Sequence, residues 1–482
     1  MEKNSTKNGI SRRKFLAGTA STVAAFTIVP RHVLGGKGHT APSNKLNIAG
    51  IGVGGMGKTN LAAMARLEID SKGDYLAVSE RSQGENIVAL CDVDEEFASE
   101  TFELFPKAKV YTDYRKMLTK QKDIDAIMIA TPDHTHAVIA MMAMNMGKHV
   151  YLQKPMTHSI YEARKLTETA RKTRVMTQMG NQGHSGEGIR LICEWISDGA
   201  VGSVREVHAW TNRPIWPQGI ATPSVAPKVP ITLDWDLWIG PAPLRPYHPA
   251  YHPRFWRGWW DFGTGAFGDM GCHILDPVFW ALKLKYPDAV QASSSQEALV
   301  VADRDWALTA RHKDSFPSAS IVQYDFPVRG NMPPVKLKWY DGGLLPERPE
   351  ELEPNRRMGD GKCGAIFIGD KGKIMCGTYG NSPRIIPEIA MKAYKRPAKT
   401  IERIPDGSGG HEQDWIRACK TGKQASSNFE YAGPFTEMVL TGNLALRFPG
   451  ERLQLDGANM KVKNLPDADE FFHRKYRRGW AL

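Results

Sequence analysis

Short apolar runs, each followed by a stretch of helical periodicity, organise the first third of the chain. Lys45-Leu46-Asn47-Ile48-Ala49-Gly50-Ile51 reads as a buried strand, and residues 87–92, 109–112, 126–131 and 149–153 repeat the pattern. Helical stretches at 60–67, 137–146 and 160–172 alternate with them. Strand and helix in alternation predict a parallel, doubly wound sheet that binds ligand at the carboxyl ends of its strands. Beyond Met176 the alternation changes. Residues 204–210 read as a half-exposed strand, and 318–324 and 336–340 are later candidates, so a second domain of different build is expected. The predicted division is a leader and linker over residues 1–43, a Rossmann domain over 44–174 and an α+β domain over 175–482.

With 482 residues, 41% of them hydrophobic, the chain has apolar surface for two cores, which excludes a disordered protein. After the N-terminus it lacks the repeated runs of about 20 apolar residues that a membrane channel needs. The net charge of +11 suggests nucleic acid until it is located, for residues 1–43 carry seven basic side chains against Glu2 alone. The remaining surplus is spread thinly, without a basic helix or finger motif, and no nucleic-acid partner is expected. Six cysteines stand no closer than 13 residues apart. That is no metal-ligand spacing; they read as packed small hydrophobes, and no metal is expected.

Within the leader, Ser11-Arg12-Arg13-Lys14-Phe15-Leu16 joins a basic start to a mildly apolar stretch, residues 15–29, too short and weakly apolar for a membrane span. It resembles a twin-arginine export signal. That implies the twin-arginine export machinery as a partner and a periplasmic protein, or one anchored facing the periplasm. The alternative is a basic arm that stays in the cytoplasm.

The first strand runs into Gly52-Val53-Gly54-Gly55-Met56-Gly57 and then a helix. Gly52 permits the tight turn, Gly54 lets backbone approach a pyrophosphate, and Gly57 lets helix pack on strand, with Gly55 and Met56 completing a cofactor loop at a helix N-terminus. The second strand ends in Asp92, where a carboxylate accepts from ribose hydroxyls and repels a 2′-phosphate, favouring NAD over NADP. Asp92 lies 35 residues after Gly57 rather than the usual ~20. Residues 70–86, rich in Ser, Gly and charge, account for the excess as an inserted loop; Asp94 is the rival acid. Two polar groups mark other strand ends: Thr131-Pro132-Asp133-His134-Thr135-His136 and Gln153-Lys154-Pro155.

Together these pieces resemble the glucose-fructose oxidoreductase / inositol dehydrogenase / MocA (Gfo/Idh/MocA) family, clearly over residues 45–300 and faintly beyond. The family's strand-end motif is Glu-Lys-Pro; here Gln153-Lys154-Pro155 keeps the lysine and loses the acid. The resemblance implies that Lys154 serves both reaction and cofactor, and that Thr131, Pro132 and His136 lie beside the cofactor. Asp269-Met270-Gly271-Cys272-His273 matches a second signature. Residues four apart share one helix face, so both side chains can point into one cleft. The resemblance implies His273 as general acid/base, Asp269 as its orienting or substrate-binding neighbour, and Lys154 as an electrostatic aid to a developing alkoxide. Asp276 extends the stripe. From spacing alone the pair also reads as a buried brace between helix and sheet, or as a metal site short of ligands. The family's second half is an open, mainly antiparallel sheet that covers the cofactor and often forms an oligomer interface, so a homo-oligomer is expected. Substrate contacts are implied near Asn181, Gln182 and His184, and His411 either caps a late helix or faces substrate.

Eight of the 13 tryptophans fall between residues 210 and 280, where even spacing would put about two. Among them runs Tyr251-His252-Pro253-Arg254-Phe255-Trp256-Arg257-Gly258-Trp259-Trp260-Asp261, which interleaves aromatic faces with polar groups. Flat apolar faces suit sugar C–H groups and Arg, Asp and His suit hydroxyls, so Arg254, Trp256 and Trp259 are read as a carbohydrate wall. The expected protein is an NAD(P)-dependent oxidoreductase of a sugar CH–OH group that keeps its cofactor bound and recycles it in place. The alternatives are an NAD-dependent glycosidase working by oxidation, elimination and re-reduction, and a non-catalytic sugar-binding protein.

Overall fold

The structure is a computed structural model that describes residues 44–79, 82–299, 308–310 and 312–482. The twin-arginine-like segment, within residues 1–43, lies outside the described residues.

Six parallel strands form the first sheet: β1 (Asn47–Ile51), β2 (Asn86–Cys91), β3 (Lys109–Tyr111), β4 (Ala126–Ile129), β5 (His149–Leu152) and β6 (Thr177–Met179), in the order β3-β2-β1-β4-β5-β6. Helices cover both faces, which is why β4 is buried at every position and its sequence, Ala-Ile-Met-Ile, is unbroken apolar. Strand order reverses between β1 and β4, and the crevice that this leaves at their carboxyl ends holds the site described below. The helices are α1 (Gly55–Ala65), α2 (Glu95–Leu104), α3 (Tyr114–Lys120), α4 (Asp133–Asn145) and α5 (Ile160–Thr173). α1 starts inside the glycine turn, earlier than the apolar pattern predicts, because glycines carry no side chain to show a period. α5 opens with a reciprocal cap: Ser159 accepts from the Glu162 N–H, and the Glu162 carboxylate accepts from the Ser159 N–H. In the inserted loop the Asp70 carboxylate accepts from the N–H groups of Lys72 and Asp74 at 2.8 and 2.9 Å, turning the chain back toward β2.

The second sheet has nine strands, mainly antiparallel, in the order β15-β14-β13-β7-β12-β11-β8-β16-β17. They are β7 (Val204–Trp210), β8 (Ala289–Ser294), β11 (Ser320–Phe326), β12 (Val335–Tyr340), β13 (Gly364–Gly369), β14 (Gly372–Cys376), β15 (Arg384–Ile386), β16 (Arg452–Asp456) and β17 (Lys461–Val462); β9 (Glu297–Leu299) and β10 (Leu308–Ala310) pair separately. Only β7 and β12 run parallel. Four helices of this half matter for the site: α6 (Gly265–Ile274), α7 (Asp276–Ala281), α8 (His411–Thr421) and α9 (Phe429–Arg447). α9 lies on α5, where the Arg164 guanidinium grips Glu437 through two bonds of 2.7 and 2.6 Å. α8 lies on α1, with Gln413 Nε2 donating to the Ala63 carbonyl at 2.9 Å.

Candidate active site

A cavity of about 780 Å³ opens over the β1–β4 crevice. Its floor is the glycine turn. Gly52 has φ +74°, and a Cβ there would meet the Thr131 nitrogen at 2.7 Å; a Cβ on Gly57 would run into the Gly52 carbonyl. Among the described residues no side chain caps α1, and its first residues, Gly55 and Met56, line the cavity with N–H groups that the helix itself leaves unbonded. Asp92 Oδ2 accepts from the N–H groups of Val53 (2.8 Å) and Gly54 (3.3 Å), and Oδ1 from that of Asp94 (3.1 Å). Burial pushes the Asp92 carboxyl up, against those three N–H groups. The rival, Asp94, caps α2 through the N–H groups of Glu96 and Phe97 and holds His252 Nε2 at 2.7 Å, which occupies its oxygens.

At the other end, Lys154 Nζ donates to Asp269 Oδ1 at 2.7 Å and to the Asp269 carbonyl at 3.0 Å. Arg257 Nε and Arg213 Nε stand 3.4 and 3.9 Å from the same carboxylate. Burial alone would raise Asp269, but Lys154 and Arg257 hold it well below the usual carboxylate range. One turn along α6, His273 is buried with Nδ1 unpartnered among the described residues, its ring edge-on to Tyr379 at 4.7 Å. Burial, reinforced by Lys154, pushes its imidazole well below 6.5, so it is neutral at physiological pH. Asp133, which lines the cavity, accepts from Thr264 Oγ1 at 2.7 Å; burial lifts its carboxyl to about 7 against the pull of Arg257.

The cavity thus brings together Gly52, Gly54, Gly55, Met56, Asp92, Thr131, Pro132, Lys154, Arg254 and Trp256, with Asp269 and His273 adjoining Lys154. Other expected residues lie elsewhere. His136 is buried with its two ring nitrogens on the carbonyls of Pro155 (2.9 Å) and Thr131 (2.8 Å); it braces two strand ends rather than lining the cavity. Asn181 and His184 are also buried, both bound to Asp276, at 2.9 and 3.1 Å, and Trp280 stacks on the His184 ring. Asp276 joins them instead of Asp269 because the helix breaks at Leu275 and restarts as α7, which ends the stripe. Gln182, half-buried, sits on the same turn without lining the cavity. Trp259 is wholly buried, its indole N–H donating to the Ala250 carbonyl at 2.8 Å. With Tyr251 and Phe262 it forms an aromatic core behind the cavity, not a ligand wall. His411 is likewise internal: Nε2 meets the Met179 carbonyl at 2.8 Å and Nδ1 the Ser185 hydroxyl at 2.7 Å.

Five side chains escaped the sequence reading. Asp133 and Arg257 lay inside the quoted polar runs but carried no mark of their own. Arg213 follows β7, and Tyr379, held at φ +62°, comes from the turn after β14. Glu412 enters from α8: Gln153 Nε2 donates to Asn60 Oδ1 (2.9 Å), and Asn60 Nδ2 to Glu412 Oε1 (2.7 Å). A distant acid therefore anchors the strand end that has lost its own. A roof also forms over the cavity from Trp238, Tyr247, His252 and Trp256, joined by Trp480 of the C-terminal tail. The roof is pinned by Asp234 N–H on the Val93 carbonyl (2.8 Å) and Glu95 N–H on the Thr232 carbonyl (3.0 Å), and the tail by Arg477 on the Gly240 carbonyl (2.8 Å).

Residues 46–181 match the NAD-binding Rossmann-fold model of the Gfo/Idh/MocA oxidoreductase family, and residues 205–306 match the model of its C-terminal α/β domain. A levoglucosan dehydrogenase of Pseudarthrobacter phenanthrenivorans is 23% identical over 231 residues, 48% of this chain and 50% of that protein. A glycosyl hydrolase family 109 protein of Porphyromonas gingivalis is 33% identical over 138 residues, 27% of each chain. The chain spans half the length or less of the curated relatives it matches. In fold it is similar to the WlbA dehydrogenase from Bordetella pertussis, solved with NADH and UDP-GlcNAcA, with a TM-score of 0.55 at 18% identity over 85% of this chain and 99% of that one.

Proposed function

The chain belongs to the Gfo/Idh/MocA oxidoreductases, and on that premise we propose that it is an NAD-dependent oxidoreductase acting on a CH–OH group of a sugar or sugar derivative. The observation that carries the reading is the Lys154–Asp269 pair, one helical turn from a neutral imidazole and at the edge of a cavity floored by an uncapped glycine turn. The residues present fit a dinucleotide. The start of α1 offers N–H groups to a pyrophosphate, and Asp92 keeps lone pairs for ribose hydroxyls while opposing a 2′-phosphate. Bound NAD supplies the hydride acceptor. Lys154 places an ammonium where alkoxide charge develops, and ionised Asp269 fixes that ammonium. His273 takes the hydroxyl proton; its unpartnered Nδ1 leaves the tautomer free to change as the proton moves.

The roof and the tail support a cofactor retained between turnovers, and the twin-arginine-like start supports export of the loaded protein to the periplasm, where it would cycle without a free dinucleotide pool. Assembly into a homo-oligomer through the open sheet belongs to the same reading. The likeness to a family 109 glycosyl hydrolase favours a second one, transient oxidation followed by elimination of a glycosidic bond. Asp133, near neutrality in its titration, would give that chemistry a second proton carrier. The test is to purify the folded protein, denature it and identify the released nucleotide, then follow absorbance near 340 nm while sugars are added. Absence of any pyridine nucleotide, together with no affinity for added NAD, refutes the proposal. Aglycone released from glycosides without net NADH selects the second reading.

A further inference from the structure

The reactive end of the site holds more positive charge than its acids balance. Lys154, Arg213 and Arg257 converge on the single carboxylate of Asp269 at 2.7, 3.9 and 3.4 Å. The other nearby acid, Asp133, is about half protonated at neutral pH. These cations are partly withdrawn from water, their side chains 14%, 25% and 33% exposed. Unbalanced charge in such a setting is costly until a counter-ion completes it.

Arg257 is held for that purpose rather than consumed by the fold. Its guanidinium lies over the Trp256 ring at 4.1 Å, lines the cavity, and donates no hydrogen bond among the described residues. Among the described residues the Arg213 side chain gives one bond, from Nη1 to Asn212 Oδ1 at 2.7 Å, and its Nε stands 3.9 Å from Asp269 Oδ2, beyond hydrogen-bond distance. Each fork keeps N–H groups free for a planar or tetrahedral anion. A cofactor pyrophosphate is not needed to explain them, because the glycine turn brings its own donors.

The geometry points to a substrate that carries an acidic substituent, a carboxylate or a phosphate ester on the sugar, bound by Arg257 and Arg213 beside the reacting hydroxyl. This names the substrate class within the proposed function and rests on that reading. The same two guanidinium groups would discriminate against neutral sugars, whose hydroxyls satisfy the forks without neutralising them.

The test is calorimetric titration of the full-length protein, with whatever nucleotide it carries, using D-glucuronate, glucose 6-phosphate and D-glucose, and the same trio in the galacto and manno series. In at least one configuration the uronate or the phosphate binds about tenfold or more tighter than its neutral parent, and the margin shrinks as salt is raised. Which of the two binds distinguishes carboxylate from phosphate. Arg257→Gln and Arg213→Gln each reduce the margin about tenfold, while Arg257→Lys, which keeps the charge but not the fork, retains part of it; circular dichroism verifies that each variant is folded. Equal or tighter binding of the neutral sugar in every series, or no binding of any acidic sugar, overturns the inference. Nucleotide analysis and NAD titration of the same sample keep the two failures apart: nucleotide bound with a neutral preference sinks only this inference, whereas an acid preference with neither bound nucleotide nor affinity for added NAD sinks the oxidoreductase reading.

Discussion

Asp133→Asn tests the electrostatics of the site. The Asp133 carboxyl is buried, with Thr264 Oγ1 on one oxygen, and titrates near 7 instead of 3.8. Burial is the main cause, opposed by Arg257, Thr264 and Lys154. The folded protein therefore keeps a proton that the unfolded chain releases. The stabilisation this gives is fully present below pH 3.8, declines as pH rises, and is lost once pH passes about 7. At about 1.4 kcal/mol per tenfold change in proton affinity, the displacement is worth about 4 kcal/mol, of which about 3 kcal/mol falls between pH 5 and 8. Asparagine copies the shape, accepts from Thr264 through its carbonyl oxygen and cannot ionise. The variant should gain on the wild type as pH rises, by about 3 kcal/mol over that interval, read as the change in denaturation midpoint between the two proteins at pH 5 and at pH 8. A difference that does not change with pH, or that moves toward the wild type at higher pH, refutes the reasoning.

Lys154→Met and His273→Ala should each lower hydride transfer by about 10²–10⁴-fold while nucleotide stays bound, measured by single-turnover absorbance and by nucleotide content. Loss of nucleotide from either variant would assign that residue to binding instead. Asn60→Leu leaves Gln153 and Glu412 buried without their shared partner and should cost about 2–4 kcal/mol in denaturant melts. Removing the last residues from Arg477 onward strips Trp480 from the cavity roof, and bound nucleotide should then exchange faster with labelled NAD than in the intact chain. Gly52→Ala places a Cβ 2.7 Å from the Thr131 nitrogen at φ +74°, so nucleotide should be lost or the melting temperature fall by several degrees.

The parallel sheet, the glycine turn and the acid after β2 were legible because each is local. A strand buried on both faces must be an apolar run, a left-handed turn selects glycine, and the order of strand, turn and helix is the order of residues along the chain. The Lys154 and Asp269–His273 signatures were readable for the same reason, each being a short run on one element. What the sequence could not determine was which polar groups share a space. Gln153 is anchored by Glu412 through Asn60, and Arg213 and Arg257 meet at Asp269 from two different segments. Asn181 and His184 turn inward because a helix break at Leu275 moves Asp276 to them. Trp256 borders the cavity while Trp259, three residues on, is core. Burial and charge pairing depend on distances between segments far apart in the chain, so only the folded arrangement decides them, whereas dihedral preference and apolar period belong to each segment alone.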